Sequence, residues 1–213
     1  MSSPQVRDIE SPVGLARALV WRPVAARGTL ALGHGAGGRS WTGDLMVLTA
    51  LAQQGFAVVL VEQPWRVAGR RVAASPPTLD RAWLAVVGAL LSGRGRLPRP
   101  LVSGGRSAGA RVACRTAAAL DAAAVVALAF PLRYPGGRGE SRAAEAALVT
   151  RAGKPLLVVQ GSRDPFGTPS QVRAEVGDGA EVRAVSGTHS FGGPPTPVLE
   201  VVREWLQRVL PAG

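Results

Sequence analysis

Six short apolar runs constrain this chain more than any other feature: GTLALG at 28–33, FAVVLVE at 56–62, PLVSGG at 100–105, AVVALAF at 124–130, PLLVVQG at 155–161 and AEVRAVS at 180–186. Each is the length of one strand, rich in Val, Leu and Ala, and bounded by Gly or Pro, the pattern of strands covered on both faces. A further strand is expected near ARALVWRP, 16–23. Between the runs lie segments of helical length. These are 44–54 opened by Asp44, 78–92 opened by Thr78 as N-cap, 108–120, roughly 168–177, and 195–210. Thr168 followed by Pro169 reads as a cap and a first helical residue. Strand alternating with helix predicts an α/β fold with a mostly parallel central sheet of about seven strands and helices on both faces. The stretch 133–153 holds little beyond the helical-looking ESRAAEAALVT, so no cap domain is expected and residues 1–213 read as one domain. With 46% hydrophobic residues the chain has enough apolar surface for one sizeable core.

In such a sheet, ligands bind at the carboxyl ends of the strands. HGAGG follows 28–33, GRSAG follows 100–105, SRDPFG follows 155–161 and GTHSF follows 180–186. Four unusual loops should therefore meet on one edge. Gly105-Arg106-Ser107-Ala108-Gly109 has the form of a nucleophile elbow, in which small neighbours let a strand turn into a helix with the serine presented at the bend. Ser107 is the candidate nucleophile; the plain alternative is a small residue at a tight turn. His189 is the candidate base, because an imidazole near neutrality can take the serine proton and return it to a leaving group. Asp164 is the candidate acid that orients it, with Glu62 in reserve and Asp178 assigned to a turn on the opposite edge. The order serine, aspartate, histidine is the one this mechanism requires on an α/β sheet. Oxyanion donors are assigned to the backbone of Ala108 and of Ala36 or its neighbour Gly35. His34 is expected to order its own loop through its ring nitrogens. Arg106 is expected to shape the pocket or to pair with an acid, and Trp65 with the loop to Pro77 to form a partial cover.

Other chemistry fits less well. GHGAGG at 33–38 satisfies a dinucleotide fingerprint, but Glu62 falls 29 residues after Gly33 and RSWTG delays the next helix. The formal charge of +11 invites nucleic acid, yet 24 of the 25 basic residues are arginine and they are spread along the chain, as a general coding bias would spread them. No specific nucleic-acid partner is expected. One cysteine and two histidines provide no zinc cluster, so neither metal nor other cofactor is called for. Cys114 reads as a small buried hydrophobe, and Trp83, Val86, Val87 and Leu90 as one helix face packed on the sheet. No apolar stretch is long enough for a membrane span and MSSPQVRDIESP lacks the features of a secretory signal, so a soluble, cytoplasmic protein without a membrane partner is expected.

LGHGAGG, GGRSAGARVA, QGSRDPFG and GTHSF together resemble the α/β-hydrolase superfamily over nearly the whole chain. More narrowly they resemble its small lidless branch, which includes the hydrolase-like domain of KAT8 regulatory NSL complex subunit 3 and testis-expressed protein 30 and is similar to dienelactone hydrolases. The resemblance implies Ser107 as nucleophile, Asp164 as acid and His189 as base. Dienelactone hydrolases use cysteine where this chain has Ser107, which argues against that particular substrate. A carboxylesterase-like serine hydrolase acting on a small acyl substrate is the expected function. A thioesterase or small-peptide hydrolase is an alternative, as is a non-catalytic protein-interaction module that kept the elbow as scaffold.

Overall fold

The structure, a computed structural model, describes residues 3–137 and 139–210. Its centre is an eight-stranded sheet with the order β1-β2-β4-β3-β5-β6-β7-β8. The strands are β1 (Gln5–Ser11), β2 (Gly14–Trp21), β3 (Gly28–Gly33), β4 (Phe56–Glu62), β5 (Leu101–Arg106), β6 (Ala124–Leu128), β7 (Leu156–Gly161) and β8 (Ala180–Val185). From β4 through β8 all neighbours are parallel, while β1 pairs antiparallel with β2, and β2 with β4. The six apolar runs form the parallel part within a residue or two of their expected bounds.

The count exceeds the expected seven by β1. Its sequence QVRDIES puts charge on both faces and its burial is at most partial, so hydrophobic patterning does not reveal it. Pairing holds it instead: Asp8 faces Arg17 across the hairpin, with the Arg17 Nε 2.9 Å from the Asp8 carboxylate.

The two faces of the sheet bury different helices because side chains alternate along each strand. Ala31, Ala57, Val59, Val61, Val125 and Val158 point to one core, which they share with α3 (Pro76–Leu91), α4 (Ala108–Thr116), α5 (Ala143–Arg151) and α6 (Pro169–Val176). Leu30, Leu32, Val58, Leu60, Val126 and Val159 point to the other, against α1 (Gly43–Val47) and α7 (Thr196–Val209). Trp83, Val86, Val87 and Leu90 lie on the buried face of α3 as their spacing predicts, and Trp83 is only 1% exposed. Cys114 is fully enclosed in the same core, where burial pushes its thiol up to about 12.

Helix ends differ in detail from the sequence reading. Thr168 caps α6 in a full capping box with Gln171. Thr78 is not a cap: α3 starts two residues earlier because Pro76 and Pro77 occupy its first turn, and Ser75 stands at the N-cap. The segment expected as one helix over 44–54 is α1 followed by a 3-10 helix, Leu48–Gln54. The four-residue helix α2, Pro64–Val67, was not foreseen. Among the described residues between Arg133 and Gly153 no cap forms, and α5 is the one regular helix longer than a turn. Among the described residues no helix is long and apolar enough to cross a membrane.

Candidate active site

Parallel strands bring the loops after β3, β5, β7 and β8 to the same edge, and the site grows from those four strand ends. Ser107 links β5 to α4 with φ 54° and ψ −112°, a backbone state that L-residues avoid and that a tightly packed turn must enforce. The enforcing contacts run through two glycines. A Cβ on Gly105 would lie 2.6 Å from the Gly33 carbonyl oxygen, and one on Gly109 would collide with the same carbonyl. The elbow thus sits directly against the end of β3, and any side chain at 105 or 109 would push it away. The Ser107 N–H donates to the Leu128 carbonyl at 2.9 Å, which fixes the bend to β6.

The side chain of His189 lies between those of Asp164 and Ser107. Its Nδ1 is 2.8 Å from Asp164 Oδ2 and its Nε2 is 3.0 Å from Ser107 Oγ. Asp164 is 2% exposed. Its Oδ1 accepts from the Phe166 N–H at 2.9 Å and its Oδ2 also accepts from Gln160 Nε2 at 2.9 Å. With the carboxylate acceptor-only, Nδ1 carries the proton and Nε2 is left to accept from the serine hydroxyl. Phe166 packs on the imidazole with ring centres 4.3 Å apart.

Arg106 does pair with an acid, namely Asp44 on α1, Nε to Oδ2 at 3.0 Å. The same guanidinium donates through Nη2 to the His189 carbonyl at 2.9 Å and to Ser190 Oγ at 3.4 Å. It therefore ties α1 to the histidine loop behind the serine. Opposite, Gly35 packs on the elbow so closely that a Cβ there would meet Ser107 Cβ at 3.5 Å and Arg106 Nη1 at 3.2 Å. Ala36 follows it at the exposed surface. Ala108 opens α4, where the first N–H groups of a helix have no partner within it and carry its positive pole.

His34 is 3% exposed and both its ring nitrogens meet main chain: Nδ1 is 2.7 Å from the Gly35 carbonyl, and Nε2 accepts from the Gln63 N–H at 3.1 Å. Burial holds its pKa below the ordinary imidazole value. Trp65, expected as a cover, is itself buried, with its ring centre 5.6 Å from that of His34. Glu62 takes no part in the serine–histidine contact and accepts from Ser40 Oγ at 2.7 Å. The dinucleotide alternative fails on geometry, since α1 begins five residues after Gly38 instead of at the glycine turn.

Three residues of the site escaped sequence reading. Gln160, fully buried at the end of β7, receives the Phe130 N–H on Oε1 and donates through Nε2 to Asp164 and to the Gly167 and Phe130 carbonyls. Its signal was a lone amide ending the apolar run LLVVQG. Asp44 was read only as a helix opener, and Gln63 carried no local signal.

The profile of the alpha/beta hydrolase domain family matches residues 26–197. No curated protein matches the chain. Among solved structures, a serine hydrolase without lid from Xanthomonas campestris is similar at a TM-score of 0.75 and 21% identity, covering 100% of this chain and 98% of that one. Esterase 2 of Thermogutta terrifontis gives 0.76 and 16%, covering 100% and 97%. A dienelactone hydrolase from Anabaena variabilis gives 0.71 and 19%, covering 97% and 99%. With the fold and more than half of the sequence in agreement, the chain belongs to the alpha/beta hydrolase domain family.

Proposed function

We propose that this protein is a serine hydrolase that cleaves esters through an acyl-enzyme on Ser107. The observation that carries the reading is the unbroken chain from Asp164 through His189 to Ser107, at 2.8 and 3.0 Å, ending on a serine in a strained elbow. In the first half-reaction Ser107 Oγ attacks the ester carbonyl carbon while His189 Nε2 takes its proton. Asp164 holds the Nδ1 proton and stabilises the imidazolium. The Ala108 N–H, with that of Ala36 or Gly35, donates to the carbonyl oxygen as it becomes an oxyanion. Collapse of the tetrahedral intermediate breaks the bond to the alcohol, which leaves with the proton from His189. Water then gives a proton to His189, attacks the acyl carbon and releases the acid, returning the proton to Ser107.

His34 and Arg106 belong to the support of this chemistry. His34 pins the loop that carries the proposed oxyanion donor, and Arg106 pins the carbonyl of His189. Thioester and short-peptide cleavage use the same steps; ester is preferred because an alcohol is an easier leaving group than an amine and esterases occur among the solved structures of this fold. The opposing reading is an interaction module that keeps the elbow as scaffold.

Labelling by a fluorophosphonate separates them. Wild-type protein should be covalently modified, Ser107→Ala should not, and His189→Ala should react far more slowly. A panel of p-nitrophenyl esters and acyl thioesters then ranks the leaving groups. A folded wild-type protein that takes no label and turns over no ester is the result that favours the module.

A further inference from the structure

Two cavities lie on the α3 side of Ser107 and share a wall. The smaller, about 10 Å³, is lined by Gly35, Ala36, Ala108 and Gly109 among others, so it adjoins the proposed oxyanion donors. It has room for about one water molecule. The larger, about 400 Å³, lies between the β1–β2 turn at Val13 and Leu15, the helix α2 at Pro64 and Val67, and the first half of α3 at Thr78 and Ala82. That is the size of a small-molecule site. Gln63, Trp65 and Leu79 line both cavities and form the partition between them.

The partition is poorly satisfied. Gln63 Oε1 and Trp65 Nε1 are buried and find no hydrogen-bond partner among the described residues, each on a residue 5% exposed. Dry amide oxygens and indole N–H groups are costly, and neither of these two atoms makes a bond that fixes the partition in place. Among the described residues the Trp65 ring meets His34 at 5.6 Å and the Arg66 guanidinium at 4.4 Å. No hydrogen bond of the indole breaks if the ring swings.

The direction of the substrate follows from the proton it must receive. A leaving alcohol takes its proton from His189 Nε2, so it lies on the His189 side. There a different cavity, lined by Trp41, Asp44, Arg106, Ser190 and Phe191, takes the alcohol. The acyl group then extends the other way, past Ala36 and Ala108 toward Trp65.

We propose that the larger cavity binds the apolar acyl chain of the substrate, entered past the Trp65–Gln63 partition, and that the physiological substrate class is medium-chain acyl esters. The proposal rests on the hydrolase reading of Ser107 for its orientation, but the cavity can be tested without turnover. Octanoate is titrated calorimetrically into Ser107→Ala protein, with acetate as the probe of equal charge. Octanoate should bind saturably and acetate much more weakly. Ala74→Phe and Val67→Trp, each placing bulk in the larger cavity, should each weaken octanoate by about tenfold or more. Circular dichroism identifies which of the two stays folded, and either suffices.

Octanoate that fails to bind, or that binds the filled variants as well as the open protein, overturns the proposal. Fluorophosphonate labelling of Ser107 decides the hydrolase reading separately. Labelled protein indifferent to the fillings keeps the hydrolase and loses the chamber. Unlabelled protein that still selects octanoate through Ala74 and Val67 keeps the chamber and loses the hydrolase. In unlabelled protein that retains Ser107, each filling should also lower kcat/KM for p-nitrophenyl octanoate about tenfold more than for the acetate.

Discussion

The two histidines occupy the same edge of the sheet and do opposite things with their rings. His34, after β3, spends both nitrogens on main chain: it donates to the Gly35 carbonyl and accepts from the Gln63 N–H. A peptide N–H is a donor at every accessible pH, so it favours an acceptor ring and opposes the imidazolium. His189, after β8, spends both on side chains, one a carboxylate and one a hydroxyl. A hydroxyl can give up its proton, so this ring can cycle. Residue type alone does not separate the two roles. The partner facing Nε2 does.

The comparison breaks first on activity. His189→Ala should lower ester turnover about 10⁴-fold or more, as should Ser107→Ala, and the double variant should be no worse than either, because the residues act as one unit. His34→Asn should cost about tenfold, through a loosened loop. Steady-state kinetics on p-nitrophenyl acetate decides it; equal losses at the two histidines would mean that His34 also handles a proton.

The loops themselves are held differently, which gives the next largest effect. The His189 loop hangs on Arg106, whose side chain and that of Asp44 are only 10% and 5% exposed. Asp44→Ala leaves that guanidinium uncompensated and should cost about 3–5 kcal/mol in urea unfolding. Replacing both, as Asp44→Leu with Arg106→Met, should recover much of this, since an apolar pair of similar volume often matches a buried ion pair. Activity should not recover with it, because the His189 carbonyl has lost its donor. A double variant both stable and fully active would demote Arg106 to packing. Gln160→Met follows at about 1–3 kcal/mol, from the main-chain and carboxylate groups it would leave dry. Its signature is a fall in kcat at little change in KM, as expected when Asp164 is less well held.

Sequence periodicity found the parallel part of the sheet because β3 to β7 are buried on nearly every position and had to be continuously apolar, while the edge strand β8 still kept Val182 and Val185 buried. It missed β1 because an edge hairpin is held by backbone pairing and the Asp8–Arg17 contact, neither of which leaves an apolar pattern. The nucleophile, acid and base candidates were legible because their chemistry needs particular side chains at strand ends. Gln160, Asp44 and Gln63 were not, since one amide or carboxylate among many has no spacing to announce it. Trp65 was singled out, yet nothing local could say that its ring would fold inward against His34 and not over the site.

The smallest effect isolates His34 from every other group. Burial holds its pKa down, and the nearby Arg66 charge adds to this, while the Gly35 hydrogen bond and Glu62 pull the other way. A depressed folded pKa means that the unfolded chain accepts a proton the folded one refuses. The stability His34 lends is therefore fully present above about pH 6.5, the unperturbed imidazole value. It is lost as pH falls from there through the folded pKa, at no more than about 1.4 kcal/mol per pH unit. Urea unfolding at intervals from pH 7.5 to 5.5 should show wild type losing stability more steeply than His34→Asn, so that the two curves converge toward acid. Parallel curves would assign the loss elsewhere and leave His34 no different from a neutral filler. Convergence would show that protonation competes with the Gln63 N–H for Nε2, two residues from the indole that closes the acyl chamber.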